Sequence, residues 1–178
     1  MVATTVDKLK SAIRDVPDFP KPGIVFKDIT PLLQNGDLFK KTIERLAGPY
    51  QRKGITHVAS IESRGFIFGA PVAYLLGAGY IPVRKKGKLP YKTLSHTYEL
   101  EYGTDTLELH ADALDGSSRV LIIDDVLATG GTARATCQLV EKLKAKVAGL
   151  AFVVELEFLN GRSKLRGYDV TALLQYSV

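Results

Sequence analysis

The 178-residue sequence contains one cysteine, Cys137, which excludes an internal disulfide and fits a reducing compartment. The thiol falls beside an apolar stripe of Thr136, Leu139, Val140 and Leu143, so it reads as a small packed side chain rather than a nucleophile. Histidine is scarce as well. His57, His96 and His110 lie far apart with no metal-ligand spacing, and no zinc site is expected. The first residues, MVATTVDKLK, lack the basic and apolar regions of a secretory signal, and a cytoplasmic location is expected. An uncharged run at residues 65–83 raises the question of a membrane span, but Gly69, Pro71, Gly77, Gly79 and Pro82 interrupt it; a buried helix followed by a strand is the better reading. No Pro/Ser-rich linker, composition shift, internal repeat or low-complexity tract divides the chain, which leaves one domain over residues 1–178. Nucleotide signatures are missing too. Residues 75–82 lack the third glycine of a dinucleotide fingerprint and precede a strand, and Gly87-Lys88 is not followed by Ser or Thr as a Walker A loop requires.

What is present is an alternation of helical and strand patterns. Val6, Leu9 and Ile13 predict a short amphipathic helix, and Phe39, Ile43, Leu46, Ala47 and Tyr50 a longer one that Gly54 can terminate. Residues 57–62, 80–83, 119–124, 147–155 and 168–174 read as strands, with a helix over 66–76 that Pro71 must start late or kink. The order is that of a parallel sheet. Residues 97–102 and 106–111, joined by Gly103-Thr104-Asp105, form instead a hairpin whose polar composition predicts a mobile flap.

The chemistry concentrates in residues 120–132, VLIIDDVLATGGT. Four apolar residues predict a buried strand, and Asp124 and Asp125 stand where it should leave the core, a poor place for packing residues. Thr129-Gly130-Gly131-Thr132 then makes a turn whose glycines can take positive φ and aim N–H groups into one concavity, ahead of a helix with its positive end toward an anion. This is a cradle for a ribose phosphate. Glu62-Ser63-Arg64-Gly65 ends another strand and opens another helix, so N–H groups, a hydroxyl and a guanidinium can converge on a second anion. Arg84, Lys85, Lys86 and Lys88 place four cations within five positions. Such a run suits a solvated face or nucleic acid, but no aromatics interleave with it; beside two anion loops, pyrophosphate is favoured. The net charge of +5 does not choose between these. In residues 19–31, FPKPGIVFKDITP, two prolines and a glycine fix an extended loop exposing Val25, Phe26 and Lys27. There an aromatic ring can stack on a planar heterocycle while main-chain groups read its edge; the alternative is a strap packing Phe26 into the core.

Residues 120–132 resemble the phosphoribosyltransferase family, whose members bind phosphoribosyl pyrophosphate (PRPP) with an apolar-apolar-apolar-Asp-Asp-x-x-x-Thr-Gly-Gly-Thr pattern. FPxPGxxFxDI(S/T)P at 19–31, (D/E)SRGF(I/L)FG at 62–69, RKxGKLP at 84–90, LEYG at 100–103 and LLQY at 173–176 narrow the resemblance to the members of that family that use adenine. The resemblance implies the type I α/β fold of the family: a central, mostly parallel sheet flanked by helices, with a flexible hairpin flap at about 85–111 and an N-terminal hood at about 1–35. It implies that Asp124 and Asp125 face the ribose hydroxyls and that Ala128, Thr129, Gly130, Gly131 and Thr132 hold the 5′-phosphate. Glu62, Ser63 and Arg64 become the pyrophosphate loop, often held by a strained peptide bond between Glu62 and Ser63, with Arg84, Lys85 and Lys88 completing the PRPP site. Val25, Phe26 and Lys27 would bind adenine; Lys27 stands where some relatives have Arg, a small departure because main-chain atoms carry the role. Glu101 is the implied proton donor or acceptor, acting with Arg64, Asp124 and Asp125, and Tyr102 helps the flap close. Magnesium is implied through PRPP and water rather than direct protein ligands.

The activity implied is transfer of the 5-phosphoribosyl group of PRPP to N9 of adenine, giving AMP and pyrophosphate in purine salvage. Adenine and PRPP are the expected partners, with a second copy of the chain in a homodimer and neither nucleic acid nor membrane. Two rivals are a hypoxanthine or guanine transferase and a PRPP-sensing regulator that binds nucleic acid. The residue 25–27 loop argues against the first. Retention of Arg64, Lys88 and Glu101 argues against the second, because a sensor does not need leaving-group and proton-transfer residues.

Overall fold

The computed structural model describes residues 4–99 and 103–177. Helix α1 (Thr5–Ser11) opens with a reciprocal cap: the Thr4 hydroxyl accepts from the Asp7 N–H at 3.2 Å, and the Asp7 carboxylate accepts from the Thr4 N–H at 2.9 Å. Strands β1 (Arg14–Pro17) and β2 (Val25–Asp28) follow as a two-stranded antiparallel ribbon, with Lys27 opposite Asp15. The extended loop expected around Val25 is therefore a paired strand. The prolines and Gly23 occupy the connection between β1 and β2, where missing N–H groups and a φ of +84° do no harm to the ladder.

Helices α2 (Thr30–Gln34) and α3 (Gly36–Ala47) come next. The long helix stops before Pro49, which sits in a single 3₁₀ turn at Gly48–Tyr50, rather than at Gly54. A proline ring crowds the preceding turn and supplies no N–H to continue the ladder. Strand β3 (His57–Ile61) leads into α4 (Arg64–Leu76), which starts two residues earlier than expected and runs over Pro71, ending at Gly77 with φ +62°. Then come β4 (Gly79–Lys85), β5 (Thr93–Glu99), β6 (Thr104–His110), β7 (Arg119–Leu127), α5 (Gly131–Lys142), β8 (Lys146–Leu156) and β9 (Val170–Tyr176).

The large sheet has seven strands among the described residues, in the order β5-β6-β4-β3-β7-β8-β9. The five from β4 to β9 are parallel, and the β5–β6 hairpin continues the sheet antiparallel to β4. Residues on β3 and β7 alternate between two apolar layers. Val58, Leu121 and Ile123 pack with Phe68 and Val72 of α4, while Ala59, Ile61 and Ile122 pack with Cys137, Leu139 and Val140 of α5. Each large side chain fully buried here contributes about 1.5–3 kcal/mol, which is why residues 120–123 read as a continuous apolar run rather than an alternation. The hairpin is longer than expected, starting at Thr93, and Leu107 and Leu109 are buried in the same core.

Candidate active site

The chain leaves β3 through α4 to reach β4 on one side, and leaves β7 through α5 to reach β8 on the other. Neighbouring parallel strands whose connections diverge open a crevice at their C-terminal ends. A cavity of about 600 Å³ lies there. Val25, Phe26 and Lys27 of the hood line it, together with Glu62, Ser63, Arg64, Lys85, Asp124, Asp125, Ala128 and Thr132. A second, smaller cavity of about 80 Å³ is lined by Asp124, Ala128, Thr129, Gly130 and Thr132, the residues expected to hold a 5′-phosphate.

The acidic pair, expected at the end of a strand over residues 119–124, lies within a longer one: β7 continues to Leu127, and Asp125 is buried. Asp124 accepts a hydrogen bond from the Asp125 N–H at 3.0 Å. Burial, and the Asp125 carboxylate beside it, push Asp124 well above the usual carboxylate range. Asp125 is instead paired with the Arg64 guanidinium. Gly65 lets the start of α4 come this close, since a Cβ on it would lie 2.7 Å from Asp124 Oδ1. Of the two turn glycines only Gly130 has positive φ, +76°; Gly131 is the first helical residue of α5.

Arg64 joins three parts of the site. It leaves the second anion loop, where the Glu62–Ser63 peptide is cis, pairs with Asp125 and lies over the Phe26 ring at 5.3 Å. Phe26 also meets Phe19 edge-on, with ring centroids 5.3 Å apart. Arg84 and Lys88 do not line the large cavity. They stand behind it on Glu62, whose oxygens accept from Arg84 Nε at 2.7 Å and Lys88 Nζ at 2.8 Å. Burial opposes the Glu62 charge, but these two cations outweigh it and hold the carboxyl below its ordinary range. Lys85 pairs with Asp105 of β6 at 3.1 Å. Arg64, Arg84, Lys85 and Lys88 are thus each held on a carboxylate, Arg64 and Lys85 in the wall of the crevice and Arg84 and Lys88 behind it. Lys27 turns its own cation away, onto Asp15 at 2.8 Å and over the Tyr176 ring at 4.4 Å.

Sequence patterns did not single out Tyr98, Asp105 or Gly161. Tyr98 and Asp105 line the cavity from the hairpin, and the Tyr98 and Thr132 hydroxyls lie 3.2 Å apart. The strand alternation of residues 93–99 was the one available signal for Tyr98; Asp105 reads as an ordinary turn residue. Glu101 and Tyr102 lie outside the described residues.

A crevice at a topological switch point, walled by two strand-to-helix turns, an acidic pair and a strand from the N-terminal ribbon, is the geometry of an enzyme site for a phosphorylated ligand. The model of the phosphoribosyl transferase domain matches residues 32–172, and the chain belongs to that family. It is 59% identical to the adenine phosphoribosyltransferase of Carboxydothermus hydrogenoformans over 94% of this chain and 99% of the relative. The crystal structure of adenine phosphoribosyltransferase from Thermoanaerobacter pseudethanolicus is similar with a TM-score of 0.93 at 53% identity, covering 96% of this chain and 99% of that one. That of the Saccharomyces cerevisiae enzyme, complexed with adenine and an imino-altritol bisphosphate, is similar at 0.91 and 44% identity, covering 97% and 100%.

Proposed function

We propose that this chain is the enzyme that transfers the 5-phosphoribosyl group of PRPP to adenine, releasing pyrophosphate and forming AMP in purine salvage. The observation that carries the reading is one cavity lined at once by the hood strand, the second anion loop and the acidic pair. The phosphate turn before α5 holds the 5′-phosphate through backbone N–H groups. Asp124 and Asp125 accept from the ribose hydroxyls. Strand β2 pairs with β1 along one edge, so main-chain donors and acceptors along its other edge can meet the rim of a purine.

As N9 of adenine bonds to the anomeric carbon, the bond from that carbon to the pyrophosphate oxygen breaks and the N9 proton departs. Positive charge grows on the sugar ring and negative charge on the leaving group. Arg64 and Lys85 in the cavity wall meet that negative charge with donors already in place. They exchange their carboxylate partners for phosphate oxygens, so binding gains contacts without dragging two free cations out of water. Glu62 positions Arg84 and Lys88. Glu101 is the acid–base group of this proposal, and Tyr102 acts in closing the flap over the crevice so that water does not reach the reacting carbon.

The acidic pair fits magnesium carried in with PRPP. Among the described residues no third His, Cys, Asp or Glu joins Asp124 and Asp125 in a ligand cluster, and hydrated magnesium needs only one or two carboxylates beside substrate phosphates. When bound, the ion would neutralise part of the pyrophosphate charge. The deciding experiment is incubation with PRPP, magnesium and each purine base in turn: AMP from adenine supports the proposal, and its absence removes it.

The same proposal includes a homodimer and a cytoplasmic location. Tyr74 is 86% exposed and Leu75 47% exposed on α4, and Ile67, two turns before Tyr74 on the same helix, is exposed as well. Large apolar side chains exposed along one helix make a surface to be covered. Tyr74→Glu should halve the mass measured by light scattering, and an unchanged mass would place the contact elsewhere. The location rests on the buried, unpaired thiol of Cys137. Among the described residues no helix is long and apolar enough to cross a membrane.

A further inference from the structure

We propose that the segment at residues 160–165, through the backbone of Gly161, positions the 5′-phosphate turn, with the Arg162–Glu155 ion pair locking the segment in place; this rests on the phosphoribosyl reading above. The turn passes through Gly130 at a φ of +76°, a residue with no side chain of its own to hold its N–H in one direction. Something must support it from below. A Cβ on Gly161 would overlap the Ala128 carbonyl oxygen and sit 3.1 Å from the Gly130 nitrogen, and a Cβ on Gly130 would overlap the Gly161 carbonyl. The two backbones therefore touch with no side chain between them, and the atoms that would have to yield are backbone.

The lock is built from the strand beneath. Glu155 of β8 lies in register with Leu127, the last residue of β7 before the turn. Its buried carboxylate accepts from Arg162 Nε at 2.6 Å and from Nη2 at 2.7 Å, while Arg162 Nη1 donates to the Val170 carbonyl at 2.9 Å. A planar fork with all three contacts satisfied has little freedom. Arg162 thus fixes its own backbone, the residue after Gly161, to β8 beside the end of β7 and to the start of β9. Gly161 and Arg162 line neither cavity, so they act on the ligand only through the turn.

Calorimetric titration of ribose 5-phosphate and of magnesium pyrophosphate separates the two ends of the PRPP site. In Gly161→Ala the dissociation constant for ribose 5-phosphate should rise about ten- to hundredfold, the cost of misplacing a site by a fraction of an ångström, while pyrophosphate binding stays within about twofold. The double variant Arg162→Met/Glu155→Gln frees the segment without leaving a buried charge unpaired. It should show a smaller rise for ribose 5-phosphate alone, partly reversed in Arg162→Lys/Glu155, and it decides the matter if Gly161→Ala does not fold. Unchanged ribose 5-phosphate binding in the folded variants overturns the proposal. Equal losses for both ligands overturn it too, because they mean general loosening. If the unmodified protein binds no ribose 5-phosphate, the phosphoribosyl reading itself falls, a result distinct from the other two.

Discussion

Asp124 and Asp125 are adjacent and chemically identical, yet the fold treats them differently. Asp125 has the Arg64 guanidinium, whereas Asp124 is half-buried in the cavity wall beside a like charge, and desolvation together with that charge holds it well above the usual carboxylate range. A raised carboxyl pKa makes a contribution to stability that is whole below the unfolded-state value and is lost as pH rises through that value toward the folded one. Near neutral pH the unliganded protein therefore bears the cost of ionising Asp124 in the cavity wall. Asp124→Asn should raise the melting temperature at pH 7, by about 2–4 °C for each kcal/mol relieved in a chain of this size, and raise it less near pH 4. The same variant should need more PRPP, since an amide is a poorer partner for ribose hydroxyls and metal-bound water. Melting curves at the two pH values check the first claim, and a lower melting temperature at pH 7 would show that Asp124 supports the fold rather than straining it.

Among the elements, the hairpin is the one whose contacts are least evident from its own composition. That composition predicts a mobile flap; in the structure β6 pairs with β4, and β5 lies against the turn before α5, where a Cβ on Gly131 would sit 3.5 Å from the Glu99 carbonyl oxygen, beside the Tyr98 ring. The hydroxyls of Tyr98 and Thr132 join the two elements. Tyr98→Phe keeps the ring and removes that link, so the KM for PRPP should rise about fivefold, the worth of one ordinary hydrogen bond, with the KM for adenine unchanged; equal shifts in both would assign Tyr98 to general packing. Glu101→Gln should leave PRPP binding intact and cut kcat about a hundredfold if the group does acid–base work. A normal kcat and pH profile would return Glu101 to the surface. These elements also explain what could be read beforehand. Residues 120–132 were legible because strand, acids, turn and helix are contiguous, so their chemistry is local. Tyr98 on Thr132, Asp105 on Lys85 and Gly161 under Gly130 are contacts between distant stretches of chain, and no periodicity of 2 or 3.6 residues records them. Element ends failed for the same reason: β7 continues past Asp124 because Val126 and Leu127 pair with Val154 and Glu155 of β8.

At the scale of the whole molecule, the hood is held by the last strand of the chain. The Tyr176 ring of β9 lies under the Lys27 cation at 4.4 Å and the Lys10 cation at 5.0 Å, and Lys27 is in turn paired with Asp15 of β1. Strand β2 is therefore set in one place relative to the ribose site, with its main-chain groups in fixed directions. Adenine presents a 6-amino donor next to the N1 acceptor, and a strand edge offers a carbonyl and an N–H to match. A 6-oxo purine reverses both, so the same edge would bury two acceptors and two donors facing one another. Sites that recognise a ligand by hydrogen bonds reject such analogues by about 10⁴-fold or more, because the mismatched groups lose water and gain nothing. Phe26 has no part in that choice: its ring, already set between Phe19 and Arg64, offers a face to any purine. Phe26→Ala should thus weaken adenine and its analogues alike and leave their ratio intact. Competition between adenine and hypoxanthine for limiting PRPP measures both effects. Conversion of hypoxanthine with kcat/KM within tenfold of adenine's, about 1.4 kcal/mol, would mean that the edge of β2 does not read the base, and the 6-oxopurine transferase would become the better reading.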